Sequence, residues 1–310
     1  MTRPWSSIAV LFLATSLWGV SSALIAAVAT TGFSSAVLVA AGGSAVILTI
    51  AVIRGNDPLR LFAADRSLYI RLGLLEIANL ALYVGALRTG PLPLAVALHL
   101  AAPVLIICAR LISGKRSVSA VVVGELVLIV IAIGLVVERR PTTESAGGIL
   151  VGCLLALGSA ACVAGLITVV SSAAESHGSV ASAGLQLAVA AVAGLPLAIV
   201  NLPSGRVCLE LLMIGGLFLG PGFVCYWWAL RTLDATTAGI IGLNEAVAAS
   251  VIGAIFARGQ LAPAVLVAGL LVLIAVGAEI RVDPRSGAPR RRTPRMPPRP
   301  CLRWASRRHC

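Results

Sequence analysis

Charge is what this chain has least of. Only 12% of its residues are Asp, Glu, Lys or Arg, while 59% are hydrophobic. A soluble domain carries about 25% charged residues, so the composition excludes one and points to lipid. Aromatic residues make up only 5% of the chain. There are three histidines, His99, His177 and His309, and no two of the seven cysteines stand as a CxxC pair. That leaves no zinc-ligand spacing. No Asp-rich motif is present to hold a magnesium diphosphate, and no Ser–His–Asp set is visible. The loops are too short for a soluble domain. An enzyme, a metal and a cofactor are therefore not expected.

The cysteines are Cys108, Cys153, Cys162, Cys208, Cys225, Cys301 and Cys310. Five lie in or beside apolar runs and read as buried, inert thiols.

What the chain does have is long apolar runs. They are Ser6–Val28, Ser34–Val52, Leu72–Leu87, Leu92–Ala109, Val118–Val137, Gly147–Ser171, Ser179–Val200, Leu211–Leu230, Ala235–Ala257 and Leu261–Ala278. Crossing about 30 Å of hydrocarbon takes roughly 17–25 helical residues, and most runs meet this. The third does so once Ser67–Arg71 snorkels. The first is too long for a signal-peptide core and lacks a clean cleavage site, so it reads as a retained helix. Nothing alternates with period two, which excludes a barrel. The fold expected is an all-α integral membrane protein of ten helices. The longest loop, Arg54–Ser67, is read as a connection only.

The chain also repeats itself. Tyr83-x-x-Ala86-Leu87-Arg88-Thr89 returns 143 residues later as Tyr226-x-x-Ala229-Leu230-Arg231-Thr232. Five spans separate equivalent points, and five is odd, so the second copy runs inverted through the membrane. The expected domains are a first five-helix repeat over 6–140, a second over 147–280, and a basic tail over 281–310. Inverted repeats place a binding site near the bilayer midplane between the halves. With both termini inside, cytoplasmic segments hold 19 Lys and Arg and outside loops hold five. This bias orients the chain. The tail has ten arginines among many prolines. It should stay disordered and favour anionic lipid. No domain accompanies it that would bind nucleic acid.

Polar side chains deep in the runs are the candidate site, because a buried membrane carboxylate is kept where it faces a cavity or finds a partner. Glu245 is foremost, near the middle of the ninth helix, with Asn244 before it. Glu76 lies at similar depth in the third helix. Asn79 and Tyr83 follow at +3 and +7 on the same face. His99 in the fourth helix can titrate. Gln186 and Trp18 complete the set. Glu125 reads instead as a structural ion-pair partner for Arg110.

These residues carry a resemblance. Trp18-Gly19 and Leu243-Asn244-Glu245-Ala246-Val247 resemble the first-helix Trp-Gly and ninth-helix Leu-x-Glu-Pro-Val of the drug/metabolite transporter superfamily, with two EamA-type repeats. Asn79-x-x-x-Tyr83, Pro91-Leu92-x-x-Ala95-Val96-Ala97-Leu98, Pro103, the Gly152-Cys153 to Cys162 stretch and Glu175-x-His177-Gly178 are most similar to its threonine/homoserine exporter branch. His99 stands where that branch has glutamate, Ala246 replaces a proline, and the superfamily's Gly-Glu after helices four and nine is missing. The resemblance implies a secondary transporter in the cytoplasmic (inner) membrane. It would export a small polar metabolite of the threonine/homoserine kind, coupled to protons through Glu245 or His99. Asn79, Asn244 and Tyr83 would meet the substrate carboxylate. A drug or secondary-metabolite exporter is the alternative within the superfamily. A scaffold or intramembrane enzyme is the alternative outside it. The partners implied are a small-molecule substrate and the bilayer, with a homodimer left open.

Overall fold

The computed structural model describes residues 4–28, 33–89, 98–114 and 146–256, with isolated helical positions between 120 and 131 and between 267 and 274. Every regular element among the described residues is helical. In chain order these are α1 (Pro4–Ala27), α2 (Ser34–Ile53), α3 (Pro58–Ala64), α4 (Arg66–Thr89), α5 (Ala102–Ile112), α6 (Ala146–Ala173), α7 (Ser179–Ile199), α8 (Gly205–Ile214), α9 (Gly220–Ala229), α10 (Ala235–Gly242) and α11 (Asn244–Phe256). A π-helical turn, Gly215–Leu219, joins α8 to α9. Six helical spans among the described residues are long and apolar enough to cross a membrane. The expected fifth and tenth helices fall largely outside the described residues, as do the basic tail and Glu125.

Burial is arranged inside out relative to a soluble protein. On α4, Leu74 is 51% exposed, while Glu76, two residues on, is only 6% exposed. Leu13, Leu150, Leu154, Val192, Leu209 and Leu217 also turn outward. An apolar belt of this extent on the outside, with carboxylate and amide groups inside, fits a multi-pass membrane protein.

Three local structures differ from the sequence reading. The Arg54–Ser67 connection contains a helix, α3. Asp57 accepts from the Arg60 backbone N–H at 3.0 Å, and Pro58 follows in the first turn. This is a strong start signal. The fourth span is interrupted at Leu100–Ala101 and the ninth at Leu243. In the fourth span the cause is Pro103. It has no N–H to offer the His99 carbonyl four residues earlier.

The helices pack in a definite pattern. α2 lies along α7 and crosses α8 and the π turn. α4 packs on α6 and α7, α1 on α9 and α11, and α5 on α6 and α10. The α2 crossing is backbone on backbone. A Cβ at Gly42 would sit 2.0 Å from the Leu212 carbonyl oxygen, and one at Gly215 would sit 2.0 Å from that of Val39. Small residues let membrane helices approach this closely. α1 meets α11 the same way, since a Cβ at Gly19 would reach the Glu245 carbonyl oxygen at 2.7 Å.

Candidate functional site

Glu76 is the most enclosed carboxylate on α4. Its Oε2 accepts from Gln186 Nε2 on α7 at 3.1 Å. Gln186 in turn accepts from Trp227 Nε1 on α9 at 2.9 Å. Gln186 and Trp227 are both completely buried. The glutamine is a bridge, its oxygen occupied by an indole N–H and its nitrogen by a carboxylate. Gln186→Leu strands the Trp227 indole N–H and leaves Glu76 with Asn79 as its partner. A buried polar group left unpaired costs about 1–3 kcal/mol, so the variant should lose about that much stability. A fall in the thermal midpoint of the purified protein checks this.

From Glu76 the network runs toward His99. The Asn79 side chain, one turn along α4, also bonds Glu76. Ser159 Oγ on α6 lies 2.7 Å from Asn79 Oδ1 and 3.1 Å from the Asn79 backbone oxygen. It is also 2.8 Å from His99 Nδ1. A backbone carbonyl can only accept, so the single Ser159 hydrogen is committed to Asn79. His99 Nδ1 must then be the donor, which leaves a lone pair on Nε2 of the neutral ring. Tyr83 covers that ring, with centroids 4.1 Å apart. Ser159 had no signal in the sequence. It is one small polar residue in an Ala- and Gly-rich helix.

Glu245 approaches from the opposite side. Its Oε1 accepts from Ser22 Oγ on α1 at 3.1 Å. It lies near enough to influence both Glu76 and Tyr83 electrostatically. Asn244 does not face outward from this pair. Its amide nitrogen reaches Thr15 Oγ1 at 2.9 Å, Ser16 Oγ at 3.0 Å and the Phe12 carbonyl at 3.3 Å, all on α1. Asn244 thus ties the start of α11 to α1 and sets the direction of Glu245. Trp18 stands between, its ring centroid 4.9 Å from Phe223 and 5.2 Å from Tyr226. The structure therefore gathers Glu76, Asn79, Tyr83, His99 and Gln186 into one connected group, with Trp18, Asn244 and Glu245 on the α1–α11 side.

The two helix interruptions flank this group. His99 precedes one and Glu245 follows the other. Leu100 and Leu243 stand 143 residues apart, the spacing of the Tyr83 and Tyr226 motifs. Ser16 and Ser159 share the same spacing. Each donates to or accepts from the polar residue beside the interruption in the other half, Asn244 and His99.

Arg110 pairs with Asp234, while the Glu125 pairing expected from the sequence lies outside the described residues. Arg110 Nη1 donates to Asp234 Oδ2 at 2.9 Å and also contacts Thr236 Oγ1. Asp234 Oδ1 meanwhile caps α10, accepting from the Thr237 N–H at 2.7 Å. Elsewhere His177 Nε2 lies 3.4 Å from Asp65 Oδ2, and Thr232 Oγ1 donates to Ser7 Oγ at 2.6 Å. Arg110 and Asp234 are 124 residues apart along the chain, which put them beyond sequence spacing. Asp234→Ala should cost about 1–2 kcal/mol, since cap and ion pair are lost together. Arg110→Ala removes the pair alone and should cost less. Thermal unfolding of the two variants tests this ordering.

Residues 150–278 match the model of the EamA-like transporter family. The matched stretch is similar to that family, whose members are membrane transporters, and the similarity is in keeping with the apolar helices. A crystal structure is similar over 92% of this chain and 99% of its own, with a TM-score of 0.74 and 17% identity. At that identity the likeness speaks for the fold alone. No curated protein matches the chain at a significant level.

Proposed function

We propose that this EamA-like chain is a secondary transporter exporting a small amino acid of the threonine/homoserine kind from the cytoplasm, driven by protons. The observation that carries the reading is a pair of membrane carboxylates, Glu76 on α4 and Glu245 on α11, close enough to influence each other electrostatically. A buried carboxylate can hold either a proton or a substrate ammonium group. Competition between the two is the simplest form of coupling. His99 Nε2 adds a third acceptor. Gln186, Asn244 and Ser159 hold these groups in place.

The same reading takes the chain as two inverted five-helix repeats over 6–140 and 147–280. Exchanging the halves replaces α1 by α6, α2 by α7, α4 by α8–α9 and α5 by α10–α11. The packing list then maps onto itself: α1 on α9 becomes α6 on α4, and α1 on α11 becomes α6 on α5. Interrupted helices at equivalent places in two halves are a pointer to a transport site. The charge bias supports cytoplasmic termini, and the resemblance to the superfamily supports the inner membrane. The face holding Arg110–Asp234 is then the cytoplasmic one. The basic tail would rest on anionic lipid.

Host tolerance tests the substrate class. Cells overproducing the chain should withstand toxic homoserine and threonine concentrations that stop cells with empty vector. Equal sensitivity across a broad amino-acid panel, at verified membrane expression, would contradict the assignment. Resistance confined to drugs would transfer it to the other branch of the superfamily.

A further inference from the structure

Two buried hydrogen-bond donors without partners share one side of α1. Trp18 Nε1 and Ser21 Oγ are shielded from solvent and bond to no described group. Ser21 is only 2% exposed. Three residues apart on a helix, they project in the same direction. Trp18 itself faces α9, where it lies on Phe223 and Tyr226. A Cβ at Gly222 would come within 2.5 Å of Trp18 Nε1. Helical hydroxyls ordinarily turn back on a carbonyl one turn earlier, as Thr15 does on Leu11 and Thr49 on Ala45. Ser21 does not. The next residue along α1, Ser22, bonds Glu245, so the donors and the carboxylate are served by the same turn of the helix. Buried donors are seldom left unpaired, and each such case calls for an explanation.

We propose that the Trp18 indole N–H and the Ser21 hydroxyl bind the carboxylate end of the substrate, while Glu76 and Glu245 take its amino end. This rests on the amino-acid reading above and supplies the donors it lacks. The amide nitrogens of Asn79 and Asn244 already have protein partners. Two neutral donors suffice, because the substrate's own ammonium balances its carboxylate. Gly222 is the residue that lets the indole pack this closely on α9, since any Cβ there would collide with it. The π turn directly before α9 gives that helix a place to shift and admit the ligand.

The experiment uses the full chain purified in detergent and three probes: threonine, threoninol without a carboxylate, and the hydroxy acid without an amino group. Thermal stabilisation against concentration gives an apparent affinity for each. Trp18→Phe keeps the ring and removes the N–H. Ser21→Ala removes the hydroxyl at little cost in packing and stands in if the first variant folds poorly. Threonine and the hydroxy acid should bind each variant about tenfold more weakly, the scale of one hydrogen bond to a charged group. Threoninol binding should not change. If all three weaken equally, or none does, the donor pair binds no carboxylate and the inference falls. The same holds if the wild type binds no carboxylate-bearing probe. If threonine confers no growth phenotype yet the hydroxy acid loses affinity in both variants, the amino-acid reading falls and the donor pair stands.

Discussion

Glu245→Gln should insert and fold at wild-type level and lose proton-driven flux to background. The amide keeps the volume of the carboxylate, and its oxygen can still accept from Ser22. What it cannot do is exchange a proton. A carboxylate deep in a membrane span costs a few kcal/mol to insert, roughly 2.5–3.5 on the translocon scale for Asp, so its removal should not lower expression. Exchange of substrate without a gradient should also weaken, because the ammonium loses one of two carboxylate partners. Flux in proteoliposomes with an imposed pH gradient, compared with equilibrium exchange, separates the two effects. Wild-type flux with an unchanged pH profile would remove Glu245 from the mechanism and leave Glu76 and His99 to carry it.

The largest structural effect is expected at Gly42. A methyl there meets the Leu212 carbonyl oxygen at 2.0 Å, and the Leu212 Cα and carbonyl carbon both at 2.7 Å. None of these can turn aside like a side chain, so α2 and α8 must separate. Overpacking costs typically 1–3 kcal/mol and sometimes more. With rigid backbone on both sides, Gly42→Ala should reach the top of that range. Gly147→Ala is the control. Its site on α6 is open among the described residues, with none of them within 4 Å of an added Cβ. It should gain up to about 1 kcal/mol from helix propensity. Comparable thermal midpoints for the two variants would overturn the account of the α2 crossing.

The sequence yields whatever has a local signature. Long apolar runs become helices, and Glu76, Asn79 and Tyr83 share a face because 3.6 residues make a turn. Glu76 and Asn79 do touch, and Tyr83 lies against His99. Partners are another matter. Gln186 reaches Glu76 across 110 positions, and Arg110 reaches Asp234 across 124. Those distances along the chain carry no periodic signal. Ser159 and Ser21 are single hydroxyls in runs of small residues, where serine is as common for packing as for bonding. The interruption at Leu100 was written in Pro103. The one at Leu243 has no such mark, since Ala246 stands nearby where a proline is usual in the superfamily. It becomes visible through Asn244, whose side chain holds α11 to α1. The π turn arises where Gly215 and Gly216 let α2 press against the helix.

The central claim is that Glu76 and Glu245 exchange protons for substrate between the two halves. Proton release on substrate binding tests it most directly, measured with the purified wild-type chain in weakly buffered detergent solution. Adding threonine should acidify the solution, and the Glu76→Gln/Glu245→Gln double variant should give no acidification at the same protein concentration. Binding of threonine to the wild type without proton release, or equal release from the double variant, would contradict the account.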